Sequence, residues 1–259
     1  MDATLQTQRL ENRNADRRLR GGFPSAVIAA LRWSLLALLK VIVAIRYRLG
    51  VSGQSNLPKT GGVLLCGNHV AYADCVLVAL SAGRPVRFIG TVELLRYPWT
   101  WLIFRLFNVI TISPKRAKEA ICLSVEALRN GDVVCIFPEG KLTTDGEVAA
   151  FQRGAELIAR RARVPVVPFG HSGLWGSSFS FYGGKAFSRL PRLRSRRVDI
   201  RFGAPIAPGA VHAEVLRAKV CGLIEAARTR RSQQALGLLC EPEVRPENRS
   251  DEARAGRAA

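Results

Sequence analysis

Acidic residues and histidines are scarce in this chain, and both shortages narrow what it can be. Only 20 Asp and Glu stand against 39 Lys and Arg, a formal net charge of +19. That sets up a positive field drawing the protein to an anionic surface, either nucleic acid or membrane. Aromatics are also few, at 7%, and the arginine runs (Arg17, Arg18, Arg20; Arg192, Arg194, Arg196, Arg197) have none interleaved. The stacking used by nucleic-acid grooves is therefore missing, no nucleic-acid partner is expected, and anionic membrane lipids are the expected surface. The six cysteines (Cys66, Cys75, Cys122, Cys135, Cys221, Cys240) include no CxxC pair. Most sit in apolar runs, where a free thiol behaves as a small hydrophobe, so reduced thiols on the cytoplasmic side are expected. Three histidines, His69, His171 and His212, are scattered and none pairs with a cysteine at ligand spacing, so no metal site is predicted.

Also missing is an uninterrupted apolar span. Residues 1–21 are polar and arginine-rich, without the apolar core of a secretory signal, and read as a disordered basic N-terminus. From Phe23 to Ile45 the chain turns apolar over close to the ~20 residues a spanning helix needs, but Arg32 and Lys40 interrupt it. At about 100° per residue these two lie about 80° apart, with Ser25 and Arg46 near the same side, leaving a broad Leu/Ile/Val/Trp face. Residues 22–48 thus read as a membrane-associated amphipathic helix at the cytoplasmic face of the inner membrane, lying in the headgroup plane or anchoring the protein as a single helix; a core helix would show the same periodicity. Tyr97 to Phe107 (YPWTWLIFRLF) has an interfacial composition too, and equally suits a packed helix.

What is present is an alternation of short apolar runs with helix-length segments, each run bounded by Gly, Pro or Asn. Strands are predicted at Val63 to Cys66, Arg87 to Gly90, Val109 to Ile112, Val133 to Phe137, Val166 to Gly170 and Val198 to Phe202. Helices are predicted at Ala73 to Ser81, Pro98 to Phe107, Ala117 to Asn130, Gly154 to Arg163 and Val211 to Ala227. This is an α/β pattern with a mostly parallel central sheet flanked by helices, in a domain spanning residues 49–228. Residues 229–259, Arg/Glu/Ala-rich with Pro242 and Pro246, read as a disordered C-terminal tail. In such folds functional groups collect beyond the carboxyl ends of strands, which singles out the residues after Cys66, Phe137 and Gly170.

The first of these loops reads Asn68-His69-Val70-Ala71-Tyr72-Ala73-Asp74. On one ideal helix His69 and Asp74 would sit about 140° apart and could not meet. With His69 in the loop and Asp74 in the first helical turn, the carboxylate can fold onto the imidazole, fix its tautomer and leave the other nitrogen as a base. Amides at the helix start after His69 are candidates for an oxyanion site. The second loop reads Phe137-Pro138-Glu139-Gly140-Lys141, where Glu139 suits either a polar ligand or a helix cap. His171 with Ser172 is a weaker second catalytic arrangement, His212 a surface or capping residue, and Cys75, beside Val76 to Val78, a buried inert thiol.

Taken in order, N-H-x-x-x-x-D at 68–74, F-P-E-G at 137–140 and Val164-Pro165-Val166-Val167-Pro168 resemble the glycerolipid acyltransferase family typified by 1-acylglycerol-3-phosphate acyltransferase, over about residues 50 to 205. The resemblance implies a membrane-associated enzyme with no cofactor. Acyl-CoA or an acyl carrier protein thioester would be co-substrate, and a lysophospholipid with one free hydroxyl the acceptor. It implies His69 as general base, Asp74 as its orienting partner, Asn68, Glu139 and Gly140 in the acceptor site, and the Val164 to Pro168 strand near the acyl donor. Two departures stand out. Lys141 and Leu142 occupy the place where the family has T-R-S, and Ile110-Thr111-Ile112-Ser113-Pro114 stands where it has I-x-I-D-R. Lys115, Arg116, Lys141 and Arg153 are the cations left to hold a phosphate. With Gly173-Leu174-Trp175-Gly176, these departures are similar to the 2-acylglycerophosphoethanolamine acyltransferase branch. The missing arginines also suit a non-catalytic lipid-binding protein that keeps the fold.

Overall fold

The structure, a computed structural model, describes residues 25–92, 104, 107–112, 117–184 and 196–236. Helix α1 (Ser25–Arg46) runs directly into strand β1 (Tyr47–Ser52), followed by β2 (Val63–Gly67), α2 (Asp74–Ser81), β3 (Val86–Thr91) and β4 (Ile110–Ile112). Then come α3 (Ala117–Arg129), β5 (Val133–Ile136), α4 (Gly154–Ala162), β6 (Val166–Ser172), β7 (Arg196–Phe202) and α5 (Ala213–Ala235). The seven strands form one sheet in the order β1-β7-β6-β2-β5-β3-β4. All pairings are parallel except β6 with β7, so β1 and β7 run together against the other five.

Strand alternation divides the core between the two faces of the sheet. Val63, Leu65, Cys135, Val167 and Phe169 face one cluster, which also takes Leu77 and Val78 of α2 and, at its margin, Leu35, Leu36 and Val43 of α1. Leu64, Cys66, Val134 and Val166 face the other, with Leu128 of α3, Ile158 of α4 and Leu216 and Val220 of α5. Successive strand residues point to opposite faces, so a sheet covered on both sides needs near-continuous apolar runs such as Val63 to Cys66. The central trio β6-β2-β5 is the consequence that matters for the site: it brings the chain leaving three strands to one edge.

Strand β1 begins at Tyr47, inside the 22–48 segment expected to be helix, because pairing with β7 gives this edge its partner. His171 and Ser172 lie within β6 rather than in a loop after it, where they pair with Ile200 and Asp199. Helix α5 continues to Ala235, so residues 229–235, expected in the disordered tail, are helical. Residues 1–24, 237–259, Lys115 and Arg116 fall outside the described residues, as does the helix expected at Pro98 to Phe107 apart from the buried Phe104 and Phe107.

Helix α1 also turns a different way from the one expected. Arg32, assigned to the headgroup side, is half-buried; burial lowers its pKa from the ordinary guanidinium value, and Asp132 opposes that shift. The outward face carries Val27, Leu31, Trp33, Leu38, Val41, Ile42 and Ile45, with the exposed Lys40 among them. No helix among the described residues is long and apolar enough to cross a membrane.

Candidate active site

Between Gly67, the end of β2, and Asp74, the start of α2, the chain wraps round one carboxylate oxygen. Asp74 Oδ2 accepts from His69 Nδ1 at 2.9 Å, from the Val70 amide at 2.7 Å and from the Ala71 amide at 2.9 Å. The Asp74 amide closes the turn onto the Ala71 carbonyl at 3.1 Å. Asp74 is fully buried, which by itself would raise its pKa; His171 and His69, facing it from either side, outweigh this and hold it below the usual carboxylate range. An ionised acceptor fixes the proton of His69 on Nδ1, so Nε2 is the nitrogen left to act as a base, on a side chain 18% exposed. The Val70 and Ala71 amides, candidates for an oxyanion site, are committed to Asp74, and the Tyr72 amide donates to the Phe179 carbonyl at 3.1 Å.

The segment after β5 braces the same histidine from the other side. Phe137 stacks on the His69 ring with centroids 4.0 Å apart and planes 10° from parallel, and Phe169 meets Phe137 edge-on at 6.2 Å. Glu139 uses both oxygens on backbone: Oε1 accepts the His69 amide at 2.8 Å and Oε2 the Ala149 amide at 2.9 Å. Burial raises the Glu139 pKa, against the pull of those two amides and of His69. The His69 carbonyl in turn accepts the Thr143 amide at 3.0 Å. Gly140 turns the chain away at φ 71°, a left-handed conformation that glycine adopts without strain. At Gly67 a side chain would strike the Phe169 ring, so glycine is what lets the chain leave β2 beside that ring.

A third layer comes from β6. Asn68 Nδ2 donates to the His171 carbonyl at 3.1 Å, and Asn68 Oδ1 accepts the His171 amide at 3.0 Å. The Asn68 amide group, expected in the acceptor site, is thus buried and spent clasping β6. His171 Nε2 lies 3.1 Å from the Asn68 carbonyl and 3.4 Å from Asp74 Oδ1. His171 therefore belongs to the His69 site and not to a second arrangement with Ser172.

An imidazole oriented by a buried carboxylate, braced by a stacked phenyl ring and open at Nε2, can take a proton from a hydroxyl. Residues 48–172, from β1 to the end of β6, match the family model described as Acyltransferase. Over this stretch, a little under half of the chain, the protein is similar to that family. A 1-acyl-sn-glycerol-3-phosphate acyltransferase of Borreliella burgdorferi is 28% identical over 121 residues, 46% of this chain and 48% of that protein. The 1-acyl-sn-glycerol-3-phosphate acyltransferase alpha of Bos taurus is 31% identical over 176 residues, 66% of this chain and 58% of that protein. The chain thus spans about half the length of these curated relatives. The crystal structure of the 1-acyl-sn-glycerophosphate (LPA) acyltransferase, PlsC, from Thermotoga maritima has the same fold, with a TM-score of 0.58 at 22% identity over 87% of this chain and 89% of that one.

Around this site Lys141 and Arg153 are exposed, Arg153 at the start of α4; the exposed Asp145 is held below the usual carboxyl value chiefly by hydrogen bonds from the Thr143 hydroxyl and the Glu147 amide, with Lys141 adding to them. Burial, with Asp74 adding to it, pushes the Cys75 thiol up to about 12, so it is not a nucleophile. His212 is exposed, and its carbonyl accepts the Leu216 amide at 2.9 Å at the start of α5. Sequence reasoning names Phe137 and His171 without the roles they take here. The stacking role of Phe137 was open to inference from its place in F-P-E-G, whereas the contact of His171 with Asp74 depends on β6 lying beside β2.

Proposed function

We propose that this chain is a membrane-associated O-acyltransferase. It moves a fatty acyl group from acyl-CoA or an acyl carrier protein thioester to the free hydroxyl of 1-acylglycerol-3-phosphate or a related lysophospholipid, with His69 as general base. The observation that supports the reading is the 2.9 Å contact of His69 Nδ1 with a buried, ionised Asp74, which leaves Nε2 as the nitrogen able to exchange a proton. His69 Nε2 takes the acceptor hydroxyl proton as the oxygen attacks the thioester carbonyl. The C–S bond then breaks, and the departing thiolate takes that proton back from His69, leaving an ester and a free thiol. A thiol of pKa about 8.5 leaves far more readily than an alkoxide, so no covalent acyl-enzyme is needed.

Membrane association rests on the largely apolar outward face of α1, which suits an interfacial helix lying in the acyl region. Leu38→Glu with Ile42→Glu is expected to release the protein from vesicles in a flotation assay. The acceptor phosphate is assigned to the rim carrying Lys141 and Arg153, in place of the arginine found after F-P-E-G in phosphatidate-forming relatives. The test is to offer purified, detergent-solubilised protein each thioester with lysophosphatidate and with lysophosphatidylethanolamine, following thiol release and the diacyl product. One thiol per new ester with at least one acceptor is expected; no product with either acceptor and either donor overturns the reading.

A further inference from the structure

Asp74 uses its two oxygens unequally. Oδ2 collects three donors, whereas Oδ1 is buried without a hydrogen bond and has His171 Nε2 before it at 3.4 Å. A buried carboxylate needs both oxygens compensated, since an unpaired charge in a dry interior is costly. His171 is held in place to do this. It is fully buried in β6, and its backbone is locked to Asn68 in both directions. With two oxygens before it, the Asn68 carbonyl and Asp74 Oδ1, Nε2 carries a proton. Nδ1 is enclosed without a partner.

We propose that His171 is a positioning residue of the acyl transfer: from the side of Asp74 opposite His69 it fixes the carboxylate and, by sharing its charge, limits how tightly His69 holds the proton it takes. The inference rests on the reading of His69 as general base. Its chemical sense is that one proton must be both accepted from a hydroxyl and returned to a thiolate. A base facing an unshared carboxylate would accept it well and release it poorly. Other groups nearby do not supply this balance. Glu139 binds the His69 amide, not its ring. Burial raises the thiols of Cys66, Cys75 and Cys135, keeping them neutral over the working pH range. On β7, Asp199 is engaged by Arg197 at 3.1 Å.

The test compares kcat/KM against pH for the wild type, His171→Asn, whose amide is too short to reach Asp74, and His171→Gln, whose amide nitrogen can reach the place of Nε2. In His171→Asn the acid limb is expected to move to higher pH by about one unit, with kcat about tenfold lower and the acceptor KM little changed. His171→Gln is expected to recover most of the limb position. A folded His171→Asn whose acid limb lies within about 0.2 unit of wild type would overturn the proposal. Nitrogen NMR of the wild type decides independently of any variant, because the chain has only three histidines: His171 is expected protonated on Nε2, and an Nδ1–H tautomer would equally overturn it. Should His69→Ala retain turnover, the base reading fails first, so the two failures are distinguishable.

Discussion

The chain leaving β2 and the chain leaving β5 meet at His69, yet they are held in opposite ways. In the first, amides 70 to 72 are all committed, Asn68 is clasped to β6, and the charged group at its end, Asp74, is buried. In the second, Glu139 and the Thr143 amide are tied to His69, but Lys141, Asp145, Glu147 and Arg153 stand in solvent. Proton transfer by the proposed base would need fixed distances, and the backbone bonds are concentrated around the His69 imidazole. Choice of acceptor needs only charges at a rim, and these can change without disturbing the fold.

If the first loop is the rigid chemical element, Asp74→Asn is the substitution that breaks the comparison most. Its amide offers a donor where a carboxylate took three, the His69 tautomer is no longer fixed, and thiol-release turnover should fall about 10³-fold or more. Stability should fall too, and its pH dependence has a definite sign. Because the folded pKa of Asp74 is depressed, its contribution is complete above the ordinary carboxyl value of about 3.9 and is lost as pH falls toward the folded value. Urea midpoints of wild type and Asp74→Asn should therefore differ most near neutrality and converge in acid.

Glu139→Gln tests the bracket between the loops. One end of the amide would face an N–H donor instead of accepting from it, so about 1 to 3 kcal/mol of stability should be lost, with turnover about tenfold or more lower. The smallest effect is expected at the rim. Lys141→Ala and Arg153→Ala should each raise the KM for an anionic lysophospholipid by less than about tenfold, with kcat and Tm unchanged. A fall in kcat there would show that the second loop carries chemistry as well as selection.

How much of this was open to the sequence follows from the range over which each feature is determined. The strands at Val63 and Val133 are local apolar runs, and that at Val198 alternates Val, Ile and Phe with Asp and Arg, so all three are legible locally. Strand β1 was missed because Tyr47 follows α1 with no breaker, and only β7, far along the chain, makes it a strand. The last turns of α5, with Arg230, Arg231, Gln233 and Gln234, show no apolar period and rely on good helix formers. For α1, periodicity separated two faces but could not say which meets the protein, and Arg32 went inward. His69 and Asp74 could be placed on separate elements by spacing alone, whereas His171 meets Asp74 through strand order, which no local pattern encodes.

The proposed mechanism stands on His69 as the base for acyl transfer. Thiol release from an acyl thioester, measured with a competent lysophospholipid for wild type and His69→Ala in the same detergent, tests it directly, with circular dichroism confirming that the variant folds. A loss of about 10³-fold or more in a folded His69→Ala is predicted; turnover near wild type in that variant would contradict it.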